Sequence, residues 1–196
     1  MPLERVRSLV LVPDEEMLPL PGLFLHRSTL HGQAHVGRVL VHALRLVEAT
    51  GFVEETCRLW AAVYLHDIAR RHDGIAPGHG AAAWARLAEL PDVRARLERG
   101  GVRDADWPAI RAAVTRHSRG EAVEGEPHAR LIELLKDADG LDRVRLGDLD
   151  PRYLRHPQAR AMTGFAARLY DETDGRCPLS PAHFPCLWQE ALRLAR

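Results

Sequence analysis

The chain is poor in lysine. Of 27 basic residues in 196, only Lys136 is a lysine. Net charge of either sign is also missing, since Asp and Glu number 27 as well. A balance of this kind argues against a protein that coats a polyanion, but leaves room for a local basic pocket. Arginine suits such a pocket, because its planar guanidinium meets phosphate bidentately. Cysteine is scarce: Cys57, Cys177 and Cys186 make an odd count with no CxxC pair. Reduced thiols in the cytoplasm are the expectation, with a Cys177–Cys186 bridge as the alternative. No run approaches the roughly 18 apolar residues of a membrane span. The short stretch Leu9–Val12 stops at Pro13-Asp14-Glu15-Glu16, and no signal peptide is read there. Strand-like alternation never exceeds four residues, which argues against strand-rich folds. There is no internal repeat, low-complexity segment or clear linker.

What is there is helical patterning. The first 25 or so residues read as irregular, punctuated by Pro2, Pro13, Pro19, Pro21 and Gly22. From Ser28 to Ala49 apolar residues recur at helical spacing, with Ser28 or Thr29 as cap and Gly51 as stop. Glu54–Arg70 reads as a mostly apolar, central helix. Further helices are expected from His79 or Gly80 to Leu90, over Pro91–Glu98, and from Asp104 or Asp106 to Arg116 with Pro108 in the first turn. Others cover Pro127–Arg143, Gln158–Asp171 and Pro181–Leu194. Trp60, Trp84, Trp107 and Trp188 fall among apolar neighbours and read as core. On the last helix Phe184, Leu187, Trp188 and Ala191 form a stripe expected to dock on that core. The fold class is therefore all-α. A helical core spans 26–145, and a C-terminal helical extension, 146–196, packs on it within a single domain.

The polar residues break this pattern in particular places. His31 and His35 are four apart, the spacing of one helix face. His66-Asp67 closes the apolar run Ala61–Leu65, His79 opens one helix and His117 ends another. Asp137, Asp139 and Asp142 follow the mostly apolar run Leu131–Leu135. Buried aspartates are costly unless a cation lies nearby. Imidazole with carboxylate suits Mn, Fe, Co, Ni, Zn or Mg, while the absence of nearby thiolate argues against a structural zinc knot.

Taken in order, Leu30-His31-Gly32-Gln33-Ala34-His35-Val36-Gly37-Arg38-Val39, then His66-Asp67, then Lys136-Asp137-Ala138-Asp139-Gly140-Leu141-Asp142 resemble the HD-domain metal-dependent phosphohydrolase superfamily. The resemblance covers about residues 29–145 and is closest to small stand-alone bacterial HD proteins. It implies an HD-type helical bundle. His35, His66, Asp67 and Asp139 match the metal ligands, while His79 and His117 stand where some subfamilies complete a second metal site or contact phosphate. The implied cofactor is one or two divalent transition metal ions: Mn, Fe, Co, Ni or Zn. One departure is Gly140, where the family commonly has Arg or Lys; Arg143 is a replacement. No GYP signature is present, which argues against a cyclic-dinucleotide phosphodiesterase.

The implied reaction is hydrolysis of a phosphate ester of a small substrate, a nucleotide by preference, by a metal-activated water. Catalytic roles fall to Asp67, His79 and His117. Candidate phosphate-binding residues are Arg38, Arg70, Arg71, His31 and Arg143, with His72 beside the arginine pair. The expected protein is a monomer or homodimer without membrane contact. Nucleic acid is disfavoured because acids interleave the arginines of 94–103 and 143–160. The alternative is a catalytically weak HD-fold module that binds a ligand or regulates a partner.

Overall fold

The computed structural model describes residues 2–121 and 123–196. Among these, all regular structure is helical. The α-helices are α1 (Leu3–Arg7), α2 (Gln33–Thr50), α3 (Thr56–Leu65), α4 (His79–Arg86), α5 (Pro91–Arg99), α6 (Trp107–Arg116), α7 (Ala129–Leu141), α8 (Pro157–Ala161), α9 (Thr163–Thr173) and α10 (His183–Leu194). Short 3-10 turns join several of them. No helix among the described residues is long and apolar enough to cross a membrane.

Helix α2 is the axis of the bundle. It packs against α3 and α7 on one side and against α1 and α10 on the other, while α6 touches α3, α4 and α7. Its apolar residues Val36, Val39, Leu40, Ala43, Leu44 and Val47 are all buried, and Gly51 ends it in the left-handed conformation at φ 76°. One apolar cluster runs from Leu3 to Ala191. The 146–196 segment therefore shares the core of 26–145, and the Phe184-Leu187-Trp188-Ala191 stripe docks on α2 as its spacing predicts. The N-terminal stretch is more ordered than its prolines suggest. Val6, Val10, Met17 and Leu18 are buried, and Met17 supplies the carbonyl that accepts the Trp60 indole N–H at 2.9 Å.

Two helices start or stop at places the periodicity does not mark. Ser28 does act as a cap, but its hydroxyl takes the N–H groups of Leu30 and His31, closing a separate turn. Gly32 is then extended, and α2 begins at Gln33. His31 therefore precedes the helix that carries His35. The second expected helix, Glu54–Arg70, is regular only over Thr56–Leu65. There the His66 ring donates Nδ1–H to the Val63 carbonyl at 2.7 Å, the acceptor that a continuing helix would offer to the Asp67 N–H.

The reduced-thiol expectation needs correction. Cys177 and Cys186 form a disulfide that closes the connection between α9 and α10, and only Cys57 is a free cysteine among the described residues.

Candidate metal centre

Five helix ends meet at one place. His35 comes from the first turn of α2, His66 and Asp67 from the end of α3, and His79 from the start of α4. His117 caps the end of α6, and Asp139 lies in the last turn of α7. All but Asp139, which is partly exposed, are buried. The close approach of α4 to α6 requires glycine at position 80, since a Cβ there would lie 2.0 Å from the Val114 carbonyl oxygen.

Three of the histidines are oriented by the same local device. His66 donates Nδ1–H to Val63 O at 2.7 Å, His117 to Val114 O at 2.7 Å, and His79 to Ala76 O at 2.5 Å. Each acceptor lies three residues earlier in the chain. His35 is held through Nδ1 as well, by the Asp142 carboxylate at 2.7 Å. With Nδ1 as the donor, each ring presents Nε2 to the centre. These nitrogens then face one another. His35 Nε2 lies 3.3 Å from His66 Nε2, and His79 Nε2 lies 2.8 Å from His117 Nε2.

Asp67 divides the cluster between its two oxygens. Oδ2 lies 3.1 Å from His31 Nδ1, 3.5 Å from His35 Nε2 and 3.8 Å from His66 Nε2. Oδ1 lies 2.9 Å from His79 Nε2. Asp139 Oδ1 is 3.3 Å from His35 Nε2. Two triads with no residue in common result, His35/His66/Asp139 and Asp67/His79/His117; a third, His31/His35/Asp67, overlaps both. Within each, the ligand atoms lie within 4.8 Å of one another.

Electrostatics keep the acids charged and two of the rings neutral. Burial works against the Asp67 carboxylate, yet His66 and the hydrogen bonds of His31 and His79 hold its pKa well below the usual range. Asp139 is likewise lowered against burial, by His35 above all. Burial pushes His66 down, and burial with the neighbouring His66 and His79 pushes His117 down to about 3. His35 goes up in spite of burial and Arg145, because Asp139 and Asp142 accept from it. Nε2 atoms and carboxylate oxygens gathered at these distances could hold a metal ion. That donor set fits a divalent ion of the borderline class.

The other candidate residues are placed unevenly. His31, Arg70 and Arg143 line a cavity of about 750 Å³ that opens onto the centre. Arg70 stands 3.8 Å from Asp67 Oδ1 and donates to the Gly74 carbonyl at 2.8 Å, and Arg143 is paired with Asp148. Arg38 and Arg71 are corrections. Arg38 is buried, with its guanidinium taken up by Asp142 at 2.6 and 3.2 Å and set over the Tyr170 ring. Arg71 is exposed and does not line the cavity, and exposed His72 accepts the Gly74 N–H at 3.1 Å.

Two residues acquire roles that the motif reading did not give them. Asp142 holds both His35 and Arg38, and Arg145 donates to Leu30 O at 2.8 Å and to Asp142 O at 3.0 Å. The signal for Asp142 was its position three residues after Asp139, on the same side of the helix end. Asp137 is buried for a different reason. It accepts the backbone N–H groups of Arg155 and His156 at 2.8 Å each, tying the C-terminal segment to α7. Gly140 also has a packing role, since a Cβ there would press on Leu154 at 3.1 Å.

Comparison of the chain with protein-family models, with curated proteins and with solved structures finds no match.

Proposed function

We propose that this protein is a divalent-metal-dependent phosphohydrolase of the HD type, acting on a phosphate ester of a small substrate such as a nucleotide. One observation carries the reading. Four imidazoles with their Nδ1 atoms committed elsewhere turn Nε2, and two carboxylates turn oxygens, toward a single volume beside an open cavity. His35, His66 and Asp139 would hold one ion and Asp67, His79 and His117 a second, with the two Asp67 oxygens reaching toward both. A bound ion of Mn, Fe, Co, Ni or Zn supplies Lewis acidity that makes water nucleophilic near neutral pH and takes up charge from the phosphoryl oxygens.

The chain's own residues do the rest. Asp142 and the three carbonyls lock the ligand rings, so little reorganisation accompanies the reaction. Arg70 and His31, on the cavity wall beside Asp67, orient the phosphate. When only the first ion is bound, His79, beside Asp67 Oδ1, delivers the proton that the leaving oxygen needs as the P–O bond breaks.

The test is metal content by mass spectrometry on protein prepared without chelator or nickel resin, wild type beside Asp67→Ala. Phosphate release from a panel of nucleotides and simple phosphomonoesters follows with the ion found. One or two ions per chain, lost in the variant together with turnover, is the expected result. No ion in either protein after reconstitution with Mn or Fe rejects the reading. So does full metal loading without any ester hydrolysis, and a nucleotide-induced rise in Tm in that case would instead favour a binding module.

A further inference from the structure

Lys136, the single lysine, is 6% exposed and lines the cavity. It precedes Asp139 on α7 by three residues, which puts the two on one side of the helix, about 4.5 Å apart along its axis. Its ammonium donates to the carbonyl of Arg119. Among the described residues, no carboxylate lies within ion-pair distance of it. The nearest acids are engaged elsewhere. Glu126 and Glu121 hold Arg116 at 2.6 and 3.2 Å, and Asp137 holds Arg155 at 3.4 Å. Burial first, and then the charges of Arg155 and Arg116, lower the Lys136 pKa. Arg119 is exposed, lines the same cavity, and its guanidinium has no hydrogen-bond or ion-pair partner among the described residues.

A buried ammonium among like charges is costly unless an anion meets it. Lys136 has three N–H donors and, among the described residues, uses one. The remaining cavity arginines differ in this respect, since Arg70, Arg143, Arg145 and Arg155 already have acceptors in the protein. Among the described residues, Lys136 and Arg119 are left with free donors on the cavity wall, joined to each other through the Arg119 carbonyl.

We infer that Lys136 and Arg119 form a second anion subsite beside the His/Asp centre, and that the substrate carries a second phosphate next to the one that is cleaved. The assignment of the first phosphate rests on the proposed hydrolysis; the subsite itself rests on the unpaired cations. A doubly charged tetrahedral group matches two cations on one cavity wall better than a neutral sugar or base does. A monophosphate would leave this wall of the cavity without its counter-charge.

The probes are inorganic pyrophosphate and orthophosphate, titrated calorimetrically into metal-loaded protein with metal content rechecked afterwards. Wild type is expected to bind pyrophosphate about tenfold or more tighter than orthophosphate, the scale of one charge-assisted contact pair. Lys136→Gln should remove most of that preference and leave orthophosphate binding and metal content unchanged. Arg119→Gln, at an exposed position that does not threaten folding, should reduce the preference severalfold. Pyrophosphate binding that is unchanged in both variants overturns the inference, and so does a wild type that binds the two anions equally. If Lys136→Gln does not fold, Lys136→Arg and Arg119→Gln decide: the first should keep the preference and the second weaken it. If the protein takes up no metal, the titration is run without it. A pyrophosphate preference that depends on Lys136 then upholds the subsite while the hydrolase reading fails.

Discussion

The Nε2 atoms of His79 and His117 lie 2.8 Å apart, and the Nδ1 atom of each ring already donates to a carbonyl of its own chain segment. Two bare imidazole nitrogens at that separation repel unless a cation lies between or beside them. Because His117 stays neutral down to about pH 3, it cannot supply the proton at ordinary pH. Replacing His117 by Gln should therefore lower the bound metal by one ion per chain and leave the His35/His66/Asp139 group loaded. Metal analysis of the purified variant reads this directly, and an unchanged ion count would show that the pair is not a ligand set.

Asp142 touches no member of the cluster except His35, which it orients through Nδ1 while it neutralises Arg38. Asn at this position keeps the shape and loses the charge. Metal affinity is expected to fall about tenfold to a hundredfold, as for other partners that orient a ligand from behind. Competition with a chromogenic chelator measures it. Affinity equal to wild type would mean that His35 needs no such partner.

Gly80 allows α4 to lie against the end of α6. A methyl group there meets the Val114 oxygen at 2.0 Å, and backbone cannot swing aside as a side chain can. Gly80→Ala should cost about 3 kcal/mol, at the upper end of overpacking effects. It should also part His79 from His117. Urea unfolding and metal content of the same preparation would show both losses together; a variant as stable as wild type contradicts the packing argument.

His42 lies seven residues after His35 on α2, fully buried, and neither ring nitrogen has a hydrogen-bond partner among the described residues. Burial lowers its pKa from 6.5 to about 4. The folded value lies below the unfolded one, so the unfolded chain takes up a proton that the native chain refuses. The stability tied to this group is complete above pH 6.5 and declines as pH falls toward 4, by roughly 3 kcal/mol in all. His42→Leu should raise Tm at pH 5 more than at pH 8 and flatten the acid side of the stability curve. Equal gains or losses at the two pH values would rule out His42 as the source.

The bond between Cys177 and Cys186 closes a loop nine residues in span that ties the segment before α10 to the first turn of that helix, whose His183 and Leu187 press on Gly37 of α2. Native protein should titrate with one free thiol, that of Cys57, and react slowly, because burial raises that thiol's pKa. Reduction, or Cys177→Ser with Cys186→Ser, should remove about 2 to 3 kcal/mol of stability, the loop-closure scale for this length. Three reactive thiols in the untreated native protein would refute the bridge.

Much of the architecture was legible from spacing alone. The apolar repeat of α2 with its Gly51 stop, the Pro108 start of α6 and the stripe of α10 each follow from local rules, since burial of one helix face and capping of its ends are properties of short stretches. The residue types gathered in the His/Asp cluster were legible too, because polar residues at the ends of apolar helices break a pattern. Spacing failed where a side chain competes with the backbone. Ser28 closes its own turn ahead of α2, and His66 takes the carbonyl that would have prolonged α3. Arg38 misled for a related reason. One turn after His35, it meets Asp142 at the end of α7 instead of the cavity, and only the α2–α7 packing reveals that.

The sequence by itself determined an all-helical chain and the residues available for a metal centre, because helix periodicity and polarity breaks are encoded within a few turns. The tertiary structure decided how those residues are grouped. Which carboxylate faces both triads, which only orients a ring and which arginine is consumed by a buried partner all depend on contacts between segments 30 to more than 100 residues apart, such as His66 with His35 and His35 with Asp142. Distances of that kind are set by helix packing, and no local pattern records them.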